Sequence, residues 1–436
     1  MSAAWTTRKS LSAKTLPTVA FSAGSGGFNA SGTPEMTSTA YDQVLSHAKL
    51  SSVWKHLYKK TKPLSRNTTG IDGQSINDFH LDAKGNLVRL AKDIREKKFS
   101  FSSLKPYLVP KPSGKKRLIC VPTVRDRIVQ GALVDYLADK YAERLANNIS
   151  FGFIKGRSVH MAARIACTAR NQRPWVYKTD ITSFFDSIPR ADLREAIKKI
   201  IKERSLHGLL FSALDCEVDS PSRAVASDIS RLGIKCGLGV RQGMPLSPLF
   251  SNLLLVDFDQ KIELSGAHAV RYADDLIFLC KDQDECNQVA AFCKGEFNKI
   301  GLDVPAVAPG SKSIIYPPDR PAEFLGLELA PVAGRYELRL ADAQLLKLKQ
   351  ELLGFSNIKQ LLSRNITLRT LGQSIAAKRD GYLGAYDLCA NIEEVELELK
   401  KAEHKALRAV YGAGLGIRLA VIGADARAFL GLPRKC

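Results

Sequence analysis

No apolar run in this chain reaches the roughly 18 residues that a membrane-spanning helix needs, so no membrane partner is expected. Cysteine occurs nine times but never as a Cys-x-x-Cys pair, and the seven histidines are equally dispersed. That pattern suggests neither a zinc site nor a disulfide framework, and it fits a reducing, cytoplasmic setting. The N-terminus does not read as a secretory signal, because Arg8 and Lys14 interrupt it and no apolar core follows. Acid is in deficit: 44 Asp and Glu stand against 64 Lys and Arg, a net charge of +20. Such a surplus implies a polyanionic partner, and without a basic amphipathic anchor nucleic acid fits better than membrane. A length of 436 residues with 45% hydrophobic content is enough for two or three substructures and a sizeable core.

What is present falls into three parts. Residues 1–40 are rich in Ser, Thr, Ala and Gly, as in Ala23-Gly24-Ser25-Gly26-Gly27, and read as a flexible arm. Residues 41–340 mix strands and helices. Residues 341–436 read as helices, with apolar stripes through Leu345, Leu348, Leu352 and Phe355, then Ile392, Val395, Leu399, Ala402 and Val410. Within the middle part, helices are expected near 41–60, over Arg125 to Leu145, Ala191 to Lys202, Leu249 to Ile262 and Asp284 to Lys299. Between Arg89 and Arg117, ten basic residues face two acids, with Phe99, Phe101 and Tyr107 interleaved. Cations of this kind neutralise phosphates, and the rings can stack on bases. Lys111 to Ile119 reads as a β-hairpin with cations, including Lys116 and Arg117, near its tip. No role can be read for residues 203–238.

Two acid-bearing stretches carry the chemistry. In Val270-Arg271-Tyr272-Ala273-Asp274-Asp275-Leu276-Ile277-Phe278-Leu279, Asp274 and Asp275 interrupt a β-prone run and fall at a tight turn between strands. In Trp175-Val176-Tyr177-Lys178-Thr179-Asp180, a second β-prone run ends on an acid. Carboxylates at the ends of rigid strands are suited to hard cations. Between the two lies Gly239-Val240-Arg241-Gln242-Gly243-Met244-Pro245-Leu246-Ser247-Pro248.

Taken together these stretches resemble motifs A, B and C of reverse transcriptases, in the right order and spacing, with Tyr-Ala-Asp-Asp as the motif C box. The resemblance spans roughly residues 70 to 330 and is nearest to group II intron-related and defence-associated bacterial enzymes. It implies an α/β right-handed polymerase, with fingers and palm in 41–340 and an α-helical thumb in 341–436. It also implies two Mg2+ ions, for which Mn2+ can substitute, held by Asp180, Asp274, Asp275 and the carbonyl of Ile181. Asp180 and Asp274 are expected to face each other, with Asp275 secondary. For the incoming dNTP the resemblance assigns Lys116 and Arg117 to the triphosphate and Gln242 and Gly243 to the nucleotide. Phe185 is the ring that excludes a 2′-hydroxyl, with Phe184 beside it as the core residue. Lys312 occupies the place of a motif D lysine that meets pyrophosphate. Phe151-Gly152-Phe153 and Lys155-Gly156-Arg157-Ser158 resemble a template-contacting segment, with Arg157 on template phosphate. Glu323 to Leu329 and Tyr336 to Leu340 resemble a primer-grip hairpin.

The implied activity is RNA-directed DNA synthesis from template RNA and dNTPs, giving a DNA product. By elimination among bacterial systems, the expected setting is antiphage defence with a dedicated structured non-coding RNA as template. Retron-type or group II intron-type roles, or an RNA-binding protein with a vestigial polymerase, are the alternatives.

Overall fold

The computed structural model describes residues 39–110, 116–220 and 222–433. The arm expected over residues 1–40 therefore lies almost wholly outside the described residues, as does the tip of the first hairpin. Among the described residues nine strands form three antiparallel sheets. A two-stranded ribbon pairs β1 (Lys105–Pro110) with β2 (Lys116–Val121). The central sheet contains β3 (Trp175–Asp180), β4 (His268–Tyr272), β5 (Asp275–Cys280) and β6 (Ile314–Tyr316), in the order β4-β5-β3-β6. A third sheet contains β7 (Ala322–Phe324), β8 (Leu327–Val332) and β9 (Arg335–Leu340), in chain order.

The apolar strands of the central sheet are buried on both faces, which is why β5 reads as a continuous hydrophobic run instead of an alternating one. On one face the helices Val124–Lys140, Ser247–Ser265 and Gln283–Lys299 close a large core around Tyr177, Leu276 and Phe278. On the other, Val176, Ile277 and Leu279 pack with the helix Val159–Arg170, the third sheet and the C-terminal helices. Those helices, chiefly Asp342–Leu353, Leu368–Ala385 and Ile392–Ala409, occupy the stretch where the resemblance expects a thumb, and the central sheet lies where it expects the palm. Asn391 links the thumb to β9 by accepting from Leu340 N at 2.9 Å. No helix among the described residues is long and apolar enough to cross a membrane.

The helix expected near 41–60 is broken at Leu45 and Ser46, where the Ser46 hydroxyl caps His47–Lys60 by accepting from Lys49 N, and a second break is more instructive. The periodicity over Arg125 to Leu145 suggests one helix, but the chain breaks at Tyr141 into Val124–Lys140 and Ala142–Leu145. The Tyr141 hydroxyl donates to Glu203 and accepts from Lys202 N, both at 2.7 Å. A tertiary contact has overridden local helical periodicity.

Candidate active site

The carboxylates converge where β3, β4 and β5 end. Asp180 is the last residue of β3 and lies opposite Asp275 in the ladder. Tyr272 pairs with Asp275, so Ala273 and Asp274 alone make the turn of the β4–β5 hairpin. Asp274 sits one step beyond the ladder, its carbonyl accepting from Ile181 N at 3.1 Å. Asp275 is thus the residue registered against Asp180, while Asp274 approaches from the turn. Ala273 carries φ +59°, as the first central residue of some two-residue hairpins must, although it is not glycine.

A buried network holds that strained turn. Arg271, 1% exposed, donates to both carboxylate oxygens of Asp259 at 2.7 and 2.5 Å. It also donates to Asn252 Oδ1, Ser150 Oγ and the carbonyl of Ala273 itself. Asn252 in turn donates to the carbonyl of Gly152 at 2.9 Å. Removing a charge from water is costly unless it is paired and hydrogen-bonded, and here both conditions are met. Arg271, Asp259 and Asn252 were not identified from the sequence as site residues. The available signal was an arginine inside an apolar strand, next to the acids.

The electrostatics fit a cation. The Oδ1 atom of Asp180 is buried and has no hydrogen-bond partner among the described residues. Burial, reinforced by the negative charge of Asp180, raises the Asp274 carboxyl above its ordinary value. Burial raises Asp275 as well, with Asp274 and Asp180 adding to it and Lys178 opposing it. A site crowded with buried acids is one whose mutual repulsion a divalent ion would relieve. Among the described residues, no three acidic, His or Cys side chains are arranged as a ready-made metal cluster. Lys312 supplies the nearest ammonium, which forms an ion pair with Asp180 Oδ2. Its position is fixed by its neighbour Ser313, whose buried hydroxyl pairs with that of Thr179 at 2.6 Å. Arg117 is near enough for its charge to act on Asp274.

The other predicted residues are locked to this centre by backbone contacts. Phe185 lies in the short helix Phe184–Ser187, and its carbonyl accepts from Val240 N at 2.7 Å. Gln242 offers its carbonyl to Cys120 N of β2, also at 2.7 Å. Gly243 has φ +112°, and a Cβ there would overlap the carbonyl oxygen of Cys120. Glycine at 243 therefore serves the joint between fingers and palm as well as any approach to nucleotide. Lys116 is engaged elsewhere, 3.2 Å from Asp228 of the helix Arg223–Arg231.

Arg157 does not present a free guanidinium. It donates to the carbonyls of Ala146, Asn147 and Ser150 and lies 4.7 Å over the Phe151 ring. It clamps the loop that feeds Phe151 into the site. The connection at 203–238, unassigned from the sequence, supplies Glu217, which pairs with Arg190 and Arg241 at 2.7 Å each. That carboxylate braces the base of the motif B loop.

Residues 109–329, half of the chain, match the family model described as reverse transcriptase (RNA-dependent DNA polymerase). The chain is 29% identical to protein YkfC of Escherichia coli (strain K12) over 211 residues, covering 46% of this chain and 52% of YkfC. It is 28% identical to the group II intron-encoded protein LtrA of Lactococcus lactis subsp. cremoris over 155 residues, covering 35% of this chain and 24% of LtrA. The chain thus spans about half the length of the first relative and a quarter of the second. Among solved structures, telomerase from Candida albicans in complex with a fragment of telomeric RNA aligns over 80% of this chain and 69% of its own. That alignment has 11% identity and a TM-score of 0.44.

Proposed function

The chain belongs to the reverse transcriptase family, and from that premise we propose that it is an RNA-directed DNA polymerase whose reaction centre is Asp180, Asp274 and Asp275. The observation that carries this reading is the buried, unpartnered Oδ1 of Asp180 beside two carboxyls raised by burial and mutual charge. A vestigial binding module would have no reason to keep three carboxyls grouped and buried in this way.

Asp180, Asp274 and the Ile181 carbonyl would hold Mg2+, or Mn2+ in its place, with Asp275 secondary. Bound there, the metal would supply the positive charge that in-line phosphoryl transfer requires. Arg117, whose charge reaches Asp274, binds the triphosphate of the incoming dNTP, and Lys116 joins it when released from Asp228. Lys312 leaves Asp180 to meet the departing pyrophosphate as charge develops there. Gln242 and Gly243 border the nucleotide from the palm side. Phe185 lies beneath the sugar and excludes ribonucleotides. Arg157 shapes the template segment by fixing residues 146–151.

The template is RNA, and we assign the finer role to antiphage defence with one dedicated structured non-coding RNA copied into DNA. The net charge of +20 supports a nucleic-acid partner. The likeness to LtrA favours, as the second reading, a polymerase of group II intron type.

Asp274→Ala is expected to lower primer extension at least a thousandfold while leaving RNA binding and the melting temperature close to wild type. Normal extension by the purified variant would remove Asp274 from the reaction. Sequencing the copurifying RNA and the DNA made from it tests the finer role. One enriched RNA with DNA mapping to it supports defence; a broad sample of transcripts points to a general polymerase.

A further inference from the structure

Phe153 departs from local expectation twice. Its ring is 53% exposed, although phenylalanine is a large apolar side chain. Its backbone lies in the left-handed region at φ +60°, which bulky residues seldom adopt. Strain and exposure at one position persist only where the surroundings impose them, and such positions cluster at functional sites.

Here the surroundings are identifiable. Phe151 N donates to the Arg271 carbonyl at 2.7 Å, pinning the chain to β4. Gly152 then passes so close to the catalytic turn that a Cβ would overlap Ala273 N. Its carbonyl is held by Asn252 Nδ2, itself bonded to Arg271. With the two preceding residues fixed, the left-handed turn at 153 swings the ring outward over the site. There its centroid lies 6.4 Å from that of Phe185, with the rings at 76°, and 6.5 Å from that of Tyr272. Phe185 is bounded on its other side by Phe184, 5.5 Å away and buried. The Phe185 backbone is fixed through Val240, which leaves the orientation of its ring to its side-chain neighbours.

We propose that Phe153 is a positioning residue for sugar discrimination: its ring meets Phe185 edge-to-face and prevents it from rotating away from the nucleotide sugar. The inference rests on the reading of Phe185 as the residue beneath the sugar. Edge-to-face pairs are worth enough to bias a ring orientation by about two- to tenfold. The strained Gly152-Phe153 step is then the structural cost of placing that edge on Phe185.

The test is the ratio of kcat/KM for dNTP to kcat/KM for the matching rNTP, with an RNA template and a DNA primer. Phe153→Ala is expected to lower that ratio about two- to tenfold, with an unchanged melting temperature because the ring is exposed. Phe153→Tyr, which keeps the ring edge, should restore the ratio, and Phe153→Leu should not. In the Phe185→Ala background, Phe153→Ala should have no further effect, since it acts through the missing ring. If Phe185→Ala lowers the ratio and Phe153→Ala does not, or if the two effects multiply, the proposal is wrong and the gate stands. A Phe153→Ala effect on primer–template affinity with the ratio intact would likewise overturn it, making the ring a base platform. If Phe185→Ala itself leaves the ratio unchanged, the gate reading fails and takes this inference with it.

Discussion

Two hairpins meet at the site, and they are held in opposite ways. The β4–β5 hairpin rests on Arg271 and Asp259, each 1% exposed, with the guanidinium also bonded to the turn it supports. The β1–β2 hairpin holds Lys116 outward: its side chain is half exposed and pairs with Asp228 of a surface helix. The difference follows from what the proposed reaction asks of each. Carboxylates that hold a metal need fixed geometry, which requires side chains locked by packing and hydrogen bonds. Cations that bind a passing triphosphate must change partner each cycle, so they are served by weak, exposed pairs. The buried charges of the two regions differ as well. In the palm Arg271 has its counter-ion; at the base of the fingers Asp126 is buried, its carboxylate accepting from Ser102 N, with no ion pair among the described residues.

The largest expected effect comes from breaking the palm pair. Asp259→Ala leaves the Arg271 charge buried without its partner, a situation that costs about 3–5 kcal/mol. Chemical denaturation should show that loss, and primer extension should fall with it because the Ala273 turn loses its anchor. Replacing both residues together, as Arg271→Met with Asp259→Leu, should recover much of the stability but not the activity. Recovery of full activity in the double variant would show that the turn holds itself, erasing the contrast with the fingers.

Next in size is the isolated carboxyl of the fingers. Burial pushes Asp126 up to about 6, with the charge of Asp72 adding to it and bonds from Thr123 and Ser102 opposing it. A carboxyl raised on folding stabilises the protein below its unfolded value, near 4, and that contribution is lost as pH rises through about 6. Asp126→Asn should therefore raise stability at pH 8 by up to about 3 kcal/mol and change it little at pH 4. Stability curves of the two proteins that stay parallel between those pH values would show that Asp126 ionises freely.

Legibility in the sequence follows the same division. The placement of Asp180 at a strand end and of Asp274 and Asp275 at the β4–β5 junction was readable because a polar residue interrupting a β-prone run is a local signal, and strand ends and turns are local events. The helices of the palm and thumb were readable from periodicity for the same reason. Arg271 with Asp259 was not, since the pair forms only when β4 lies against the helix Ser247–Ser265. The inward turn of Arg157 and the display of Phe153 were hidden for a related cause. Both depend on the close passage of residues 146–153 against β4 and its turn, a tertiary contact that no spacing records. Gly243 was partly readable: glycine implies a close approach, but the neighbour is the backbone of β2. The packing of the motif B base around Glu217 lay in a stretch with no pattern to read.

The smallest effect should come from the surface pair, and it separates grip from stability. Lys116 Nζ lies 3.2 Å from Asp228 Oδ2, and Asp228 is also within 3.9 Å of Arg231 Nη1. Exposed pairs of this kind contribute about 0–1 kcal/mol, so Asp228→Ala should leave the melting temperature nearly unchanged. Yet the carboxylate and the triphosphate compete for one ammonium. Removing Asp228 frees Lys116 without cost, and KM for dNTP should fall about two- to fivefold at low salt, with kcat little altered, as expected for a change of up to 1 kcal/mol. The gain should shrink as salt approaches 1 M, where the screening length drops to about 3 Å. Lys116→Ala should move KM the other way, and in that background Asp228→Ala should have no effect. A KM that ignores Asp228 at low salt would mean that Lys116 is not part of the grip, leaving the triphosphate to Arg117 and making the fingers hairpin as fixed in its partners as the palm.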